Sequence, residues 1–331
     1  MSKSEHSSGT LAAASPRPAR AGVAGAGVFG GYHAQKYAAL ADLELADPEL
    51  ADVDFVGVFD PSKQAREQLA QKHGVIGFDT FSEFLAAVDM VTIAAPGAMH
   101  ADLALQAISA GKHVYIEKPI ALSVQNGREI IDAAANAGVR LAVGHQERVV
   151  FDALTSKLPK LKPTRLEFVR IGPGSGRCED VSAVLDLMVH DLDLVGQFGI
   201  GELKSVFAAG DEHEIAATLT FDGCSASFLA SRRSNERARA IHIHRQGEPT
   251  IVLDFIARTV NVEGEALTAA PDCPQDPLGV HVKAFADAVR GRPARFVTGQ
   301  DGLNALELAL KIEEARQSLA TADNKMSTVS V

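Results

Sequence analysis

The chain has 331 residues, 46% apolar and 22% charged, with a formal net charge of −10 at pH 7. That length suits two domains, each able to bury its own core. The acidic balance argues against a nucleic-acid or anionic-membrane partner, and no run approaches the roughly 20 apolar residues of a membrane span. Three cysteines, Cys178, Cys224 and Cys273, lack metal-ligand spacing and favour a reducing, cytoplasmic setting. Residues 1–18, rich in Ser, Ala and Pro, read as a disordered tail without a signal-peptide core.

The first element is an apolar strand over Ala21–Gly25, which runs into Gly25-Ala26-Gly27-Val28-Phe29-Gly30 and then a helical run starting near Gly31. This is the turn that holds a dinucleotide pyrophosphate. Gly25 permits the tight turn, Gly27 lets the backbone approach the phosphates, and Gly30 lets the helix pack closely on the strand. From there to Gly144, strand-like segments (Val53–Phe59, Val75–Phe78, Met90–Ala95, His113–Ile116, Arg140–Val143) alternate with helical ones (Ser62–His73, Phe81–Val88, Met99–Ala110, Ser123–Ala137). The alternation implies a doubly wound parallel sheet, a Rossmann-type domain over residues 19–145. Ala41–Ala51 reads as an extended loop. Asp60 closes the second strand, where a carboxylate accepts from ribose hydroxyls and repels a 2′-phosphate; NAD is therefore favoured over NADP, with Lys63 and Arg66 close enough to weaken the preference. Asp60 also suits the cap of the helix beginning after Pro61.

Ala95-Pro96 closes the fourth strand and Glu117-Lys118-Pro119 the fifth. In an open α/β sheet the ligand crevice lies outside these carboxyl ends, so Lys118 is the first catalytic candidate. His33 and His100 are placed at the cofactor edge.

Beyond residue 146 the pattern changes to an α+β domain with an open, mainly antiparallel sheet. A helical block, Val181–Phe198, precedes strands at Ser205–Ala209, Glu214–Phe221, Cys224–Ser231, Ala238–Gln246, Thr250–Phe255 and Thr259–Glu263, with short turns at Asp222-Gly223 and Gln246-Gly247. Helical patterns at Val280–Arg290 and Gly302–Ala320 are expected to pack back across the domains. In the helical block, Asp186, His190, Asp193 and Gln197 form a polar stripe; Asp186 and His190 stand one turn apart, a spacing that lets a carboxylate orient an imidazole general base. His242 and His244 share a strand face but have no evident third ligand, so no metal is expected. Arg232, Arg233, Arg237 and Arg239 read as a solvated cluster around a turn.

Taken together, these segments resemble the glucose-fructose oxidoreductase / inositol dehydrogenase (Gfo/Idh/MocA) family from Ala21 to about Arg316. The resemblance rests on Gly25-Ala-Gly27-Val-Phe-Gly30, Tyr32-His33-Ala34, Asp60, Ala95-Pro96 with His100, Gly111–Pro119, Gly144-His145-Gln146-Glu147-Arg148, and Asp186 with His190. It implies NAD-dependent oxidation of a secondary hydroxyl, with Lys118, Asp186 and His190 as the catalytic group, a cis peptide before Pro119, and a homodimer or homotetramer. The cofactor residues it implies are Gly25, Gly27, Val28, Phe29, Gly30, Asp60, Ala95, Pro96, His100, Glu117 and Lys118. The family's usual Thr-Pro-Asn is here Ala95-Pro96-Gly97, which removes two polar groups beside the cofactor.

Within the family the pattern looks most like a branch whose substrate is UDP-N-acetylglucosamine, oxidised at C3 for lipid A. That likeness places the sugar or sugar nucleotide against Lys118, His145, Arg148, Arg170, Arg177, Asp186 and His190, with Arg165 a further candidate for the diphosphate. His190 and Lys118 are both open as the proton acceptor. An inositol or free sugar is the alternative substrate, and a catalytically silent NAD-binding regulator the alternative role.

Overall fold

The computed structural model describes residues 17–46, 53–174, 181–263, 265, 268–270 and 272–328. Strand β1 (Ala19–Ala24) leads into helix α1 (Val28–Ala46), then β2 (Val53–Phe59), α2 (Lys63–His73), β3 (Ile76–Phe78), α3 (Phe81–Ala87), β4 (Met90–Ile93), α4 (His100–Ser109), β5 (His113–Ile116), α5 (Val124–Ala137) and β6 (Leu141–Val143). The six strands are parallel, in the order β3-β2-β1-β4-β5-β6. This is the doubly wound arrangement, with the order reversing between β1 and β4. Val23, Ile93, Ile116 and Val143 are fully buried, as strands covered by helices on both faces require. Local signals set the helix ends. Ser62 and Ser123 cap α2 and α5 by accepting from the amides of Ala65 and Asn126, while Gly74 and Gly138 close the same helices in the left-handed conformation.

The second half runs α6 (Glu147–Thr155), β7 (Arg165–Pro173), a π-helical turn (Val184–Met188), α7 (Val189–Val195), β8 (Leu203–Gly210), β9 (Glu214–Phe221), β10 (Cys224–Ser231), β11 (Arg233–Arg245), β12 (Glu248–Asp254), β13 (Thr259–Val262), β14 (Thr268–Ala269), α8 (Pro277–Val289) and α9 (Gly299–Thr328). Its eight strands are ordered β14-β13-β12-β11-β7-β10-β9-β8. All pairings are antiparallel except β7 with β10. Along β9, Ile215, Ala217, Leu219 and Phe221 are buried while Glu214, Ala216, Thr218 and Thr220 are exposed. One face therefore carries the core, and it packs on the π-helical turn and α9. Helix α9 also reaches α5 and β6, and α8 reaches α1 and α6, so the last two helices tie the two sheets together.

Three departures from the sequence expectations have physical causes. Helix α1 continues to Ala46 rather than opening into a loop at Ala41, consistent with the good helix formers Ala, Leu and Glu in that stretch. Strand β7 was not expected, because its core face carries Arg170 beside Leu166 and Phe168, which breaks the apolar alternation. Strand β11 begins at Arg233, five residues before the expected start, in a segment too charged to read as sheet.

Candidate active site

The glycine turn has the geometry expected of a dinucleotide cradle. Gly25 has φ +106°, and a Cβ there would lie 2.6 Å from the Ala94 carbonyl oxygen. A Cβ on Gly30 would strike the Gly25 carbonyl oxygen, so only glycine lets α1 sit this close to β1. Gly27 has nothing within 4 Å of a would-be Cβ, leaving its backbone approachable beside the N-terminus of α1. Val28 stands exposed on the turn, and Phe29 lines the cavity described below. The Asp60 carboxylate accepts from the amides of Ala26 (2.7 Å) and Ser62 (2.8 Å), tying the end of β2 to the turn and to the cap of α2. Arg66 is turned inward, donating to the Asp60 carbonyl oxygen at 3.0 Å and pairing with Asp79, while exposed Lys63 pairs with Glu67. Arg66 is thereby not presented as a 2′-phosphate ligand, and the Asp60 carboxylate at the strand end fits NAD.

At the carboxyl ends of β4 and β5 the loops are fastened to each other. Buried His100 places Nδ1 2.8 Å from the Pro119 carbonyl oxygen and Nε2 2.9 Å from that of Ala95. Burial lowers the pKa of His100, so the neutral ring has one N–H to donate to one of these carbonyl oxygens, and the residue lies between Ala95 and the Lys118–Pro119 loop at the expected cofactor edge. The Lys118–Pro119 peptide is cis. Buried His33 likewise gives its Nε2 hydrogen to Glu117 Oε1 at 2.6 Å. Burial raises the proton affinity of Glu117, but that hydrogen bond and the charge of Lys118 outweigh it and hold the carboxyl below its ordinary range. Gly144 passes so close to Glu117 that a Cβ would lie 2.8 Å from Oε2.

Lys118 leaves this loop with its Nζ 2.7 Å from the Asp186 carbonyl oxygen and 3.1 Å from Asp186 Oδ1. The other carboxylate oxygen, Oδ2, lies 3.2 Å from Arg232 Nη2. Asp186 is therefore shared between two cations and does not orient His190. The π-helical turn that contains Asp186 explains the difference, because its i→i+5 spacing removes the i,i+4 alignment of an α-helix. The next two acids are committed elsewhere. Asp191 takes Arg170 through two hydrogen bonds, of 2.8 and 3.0 Å, and Asp193 takes Arg148 through another pair. Glu147 Oε1 adds contacts to Arg170 Nη1 (3.2 Å) and Arg239 Nη1 (3.0 Å).

His190 sits among these ion pairs. Its Nδ1 is buried with no hydrogen-bond partner among the described residues. Burial first, and then the charges of Lys118 and Arg170, push its pKa well below the ordinary histidine value, so the imidazole is neutral at pH 7. Behind it lies fully buried His145, ring centroids 5.8 Å apart, neither of whose ring nitrogens has a partner among the described residues.

Lys118, Asp186 and His190 come together on one cavity of about 270 Å³, lined also by Phe29, Glu117, Glu147 and Arg170. The cavity thus lies between the glycine turn and the second sheet. The substrate set read from sequence is only partly gathered there. Arg148 is buried against Asp193 and Asp301, away from the cavity wall, and Arg165 pairs with Glu167. Arg170 reaches the wall but is neutralised by Asp191 and Glu147. His145 stands behind the wall, and Arg177 lies outside the described residues. Three residues of the cluster read as solvated line the cavity: Arg237 and Arg239, which are indeed exposed, and Arg232, which is largely buried. The strand alternation Arg237-Ala238-Arg239-Ala240, continuing the buried Ile241 and Ile243 face, was the available signal. Arg233 does point away, to Asp211.

Buried histidines make the fold acid-sensitive. Burial, with Arg148 and Lys118 nearby, lowers the pKa of His145 to about 3, against about 6.5 in the unfolded chain. Between these values the unfolded state binds a proton that the folded state refuses, so stability falls as pH drops below about 6.5. At pH 5 the loss assigned to His145 is about 2 kcal/mol. Urea unfolding from pH 7 to pH 5 should show a smaller loss in His145→Leu than in wild type; equal losses would contradict this reading.

No helix among the described residues is long and apolar enough to cross a membrane, and no metal-binding group of His, Cys, Asp or Glu is found among them. The profile of an oxidoreductase family with an NAD-binding Rossmann fold, GFO_IDH_MocA, matches residues 19–145. The UDP-N-acetylglucosamine 3-dehydrogenase of Acidithiobacillus ferrooxidans is 30% identical over 320 residues, covering 89% of this chain and 96% of that protein. A solved structure of that enzyme superimposes with a TM-score of 0.82, covering 91% of this chain and 98% of its own. The WlbA dehydrogenase of Bordetella pertussis, solved with NADH and UDP-GlcNAcA, is 20% identical with a TM-score of 0.76, covering 91% and 97%, a likeness of fold. The chain belongs to the Gfo/Idh/MocA oxidoreductases and carries their NAD-binding Rossmann domain.

Proposed function

We propose that this protein is an NAD-dependent dehydrogenase that oxidises a secondary hydroxyl of a sugar nucleotide to a ketone, with UDP-N-acetylglucosamine oxidised at C3 as the substrate reading and the supply of lipid A precursors as its use. The observation that carries the reading is the meeting of Lys118 and neutral His190 on the wall of one cavity that also holds Phe29 of the nucleotide turn. The named activity of the Acidithiobacillus ferrooxidans relative supports the substrate.

When bound, NAD supplies the acceptor for the hydride that leaves the carbinol carbon. The residues of the chain handle the proton and the charge. Buried Nδ1 leaves Nε2 as the nitrogen of His190 able to meet a ligand, and a neutral imidazole is the form that takes a hydroxyl proton. Lys118 gives two of its three hydrogens to Asp186, leaving one for the substrate oxygen as it gains negative charge. Asp186 is a positioning residue, holding the ammonium between itself and the cavity. His100 and His33 act further back, fixing the loops from which Lys118 projects.

Single-turnover NADH formation tests these roles. His190→Asn and Lys118→Met should each slow the step by roughly 10²-fold or more, and the acid limb of the wild-type rate should lie well below pH 6.5. Unchanged chemistry in both variants would defeat the mechanism. Turnover of uncharged polyols alone would replace the sugar nucleotide with an inositol or free sugar.

The outer face of the second sheet supports a homodimer or homotetramer. Phe207 and Leu229, 58% and 37% exposed, stand there on neighbouring register positions with Thr218 and Ala216. Light scattering at micromolar concentration should give a mass above that of one chain; monomer alone would refute the assembly.

A further inference from the structure

The cavity carries more positive charge than its acids balance. Along its lining, Lys118, Arg170, Arg232, Arg237 and Arg239 face Glu117, Glu147 and Asp186. Glu117 is engaged by His33, Asp186 is shared by Lys118 and Arg232, and Glu147 is shared by Arg170 and Arg239. Counting Asp191 behind Arg170 still leaves the cations in excess, and Arg237 has no ion-pair partner among the described residues. In a chain of net charge −10, this is a local reversal of sign.

Arg232 adds an independent sign of a ligand. Its side chain is only 8% exposed, and Nη2 is engaged by the Val181 carbonyl oxygen (2.9 Å) and Asp186. Its Nε and Nη1, however, are buried without a partner among the described residues. Buried guanidinium donors left open cost free energy unless something supplies acceptors. The backbone is also shaped for the purpose. Arg233 pairs with Pro173 and Ala238 with Ile171, so five steps along β11 answer two along β7. This bulge carries Arg237, whose stem lies over Gly172. Bulges of this kind re-aim side chains beside active sites.

We infer that Arg232, Arg237 and Arg239 form the subsite for the diphosphate of the substrate, in place of the arginines that the sequence pointed to. The inference rests on the dehydrogenase reading above and specifies its substrate class. A diphosphate presents several acceptor oxygens and two negative charges, which matches open guanidinium donors and an unneutralised arginine. Arg232 spans the distance to the chemistry, since the Asp186 it contacts also holds Lys118.

The test uses NAD-loaded protein. Arg237→Ala should raise KM for UDP-N-acetylglucosamine about tenfold with kcat unchanged, Arg237→Glu should raise it further, and Arg237→Lys should restore most of the loss. Inorganic pyrophosphate should inhibit wild type competitively with the sugar nucleotide and inhibit Arg237→Ala more weakly. Arg233→Ala, outside the cavity, should behave as wild type. Wild-type KM and pyrophosphate inhibition in both Arg237→Ala and Arg237→Glu would overturn the subsite. Oxidation of neutral sugars without inhibition by pyrophosphate would overturn it too, while leaving the dehydrogenase standing. Calorimetry with UDP reads the subsite without turnover: binding that is lost in Arg237→Glu supports it even if no sugar is oxidised, and absence of binding to wild type refutes it.

Discussion

The contact on which the site depends is the ion pair between Lys118 and Asp186. Lys118 projects from the loop after β5, in the parallel sheet, and Asp186 from the π-helical turn that packs on the other sheet. One pair of side chains therefore joins the crevice of the first sheet to the turn packed on the second, within the frame that α8 and α9 hold together. Both partners are largely buried, and the lysine bonds the backbone as well as the carboxylate of residue 186. Such a contact is specific in direction, and it places an ammonium hydrogen at the cavity rather than leaving a mobile surface lysine.

The segment from Val184 to Val195 distributes its acids with the same economy. Asp186, Asp191 and Asp193 each meet cations from different elements: Lys118 and Arg232, Arg170 of β7, and Arg148 of α6. Breaking a buried pair of this sort costs roughly 3–5 kcal/mol because the remaining charge is stranded. All the acids are engaged by cations, so His190 is left without a carboxylate partner to offset its burial. Burial first, and then the positive charge of Lys118 and Arg170, keep it neutral, the state in which it accepts a proton. The cations of these ion pairs thus reinforce what burial does to the protonation state of the candidate base.

Much of this was legible in the sequence, and the limits have physical causes. The glycine turn, the alternation of apolar strands and helices, and the Glu117-Lys118-Pro119 strand end identify the parallel sheet and its crevice, because these signals are local. The meeting of Lys118, Asp186 and His190 was expected from the family likeness. The partners of Asp186 were not readable, since a π-helical turn looks like an ordinary helix in sequence. The partners of Arg148, which lies off the cavity wall, and of Arg170, which lies on it, were hidden for a related reason. An arginine gives no sign of whether it faces a ligand or a buried aspartate 21 or 45 residues further on. Arg237 and Arg239 were read as solvated, and they are exposed; their place on the cavity wall shows only once β7 is paired beside β11. Long-range pairing, rather than composition, decided each of these cases.

A crystal structure of the protein with NAD bound tests the central claim most directly, by locating the nicotinamide ring. The ring is expected in the cavity between Phe29 and Lys118, with His190 and the Lys118 ammonium facing the same side of its C4 atom. A ring lodged elsewhere, or a His190 turned away from it while Lys118 remains paired with Asp186, would contradict the convergence of these residues on one reacting centre.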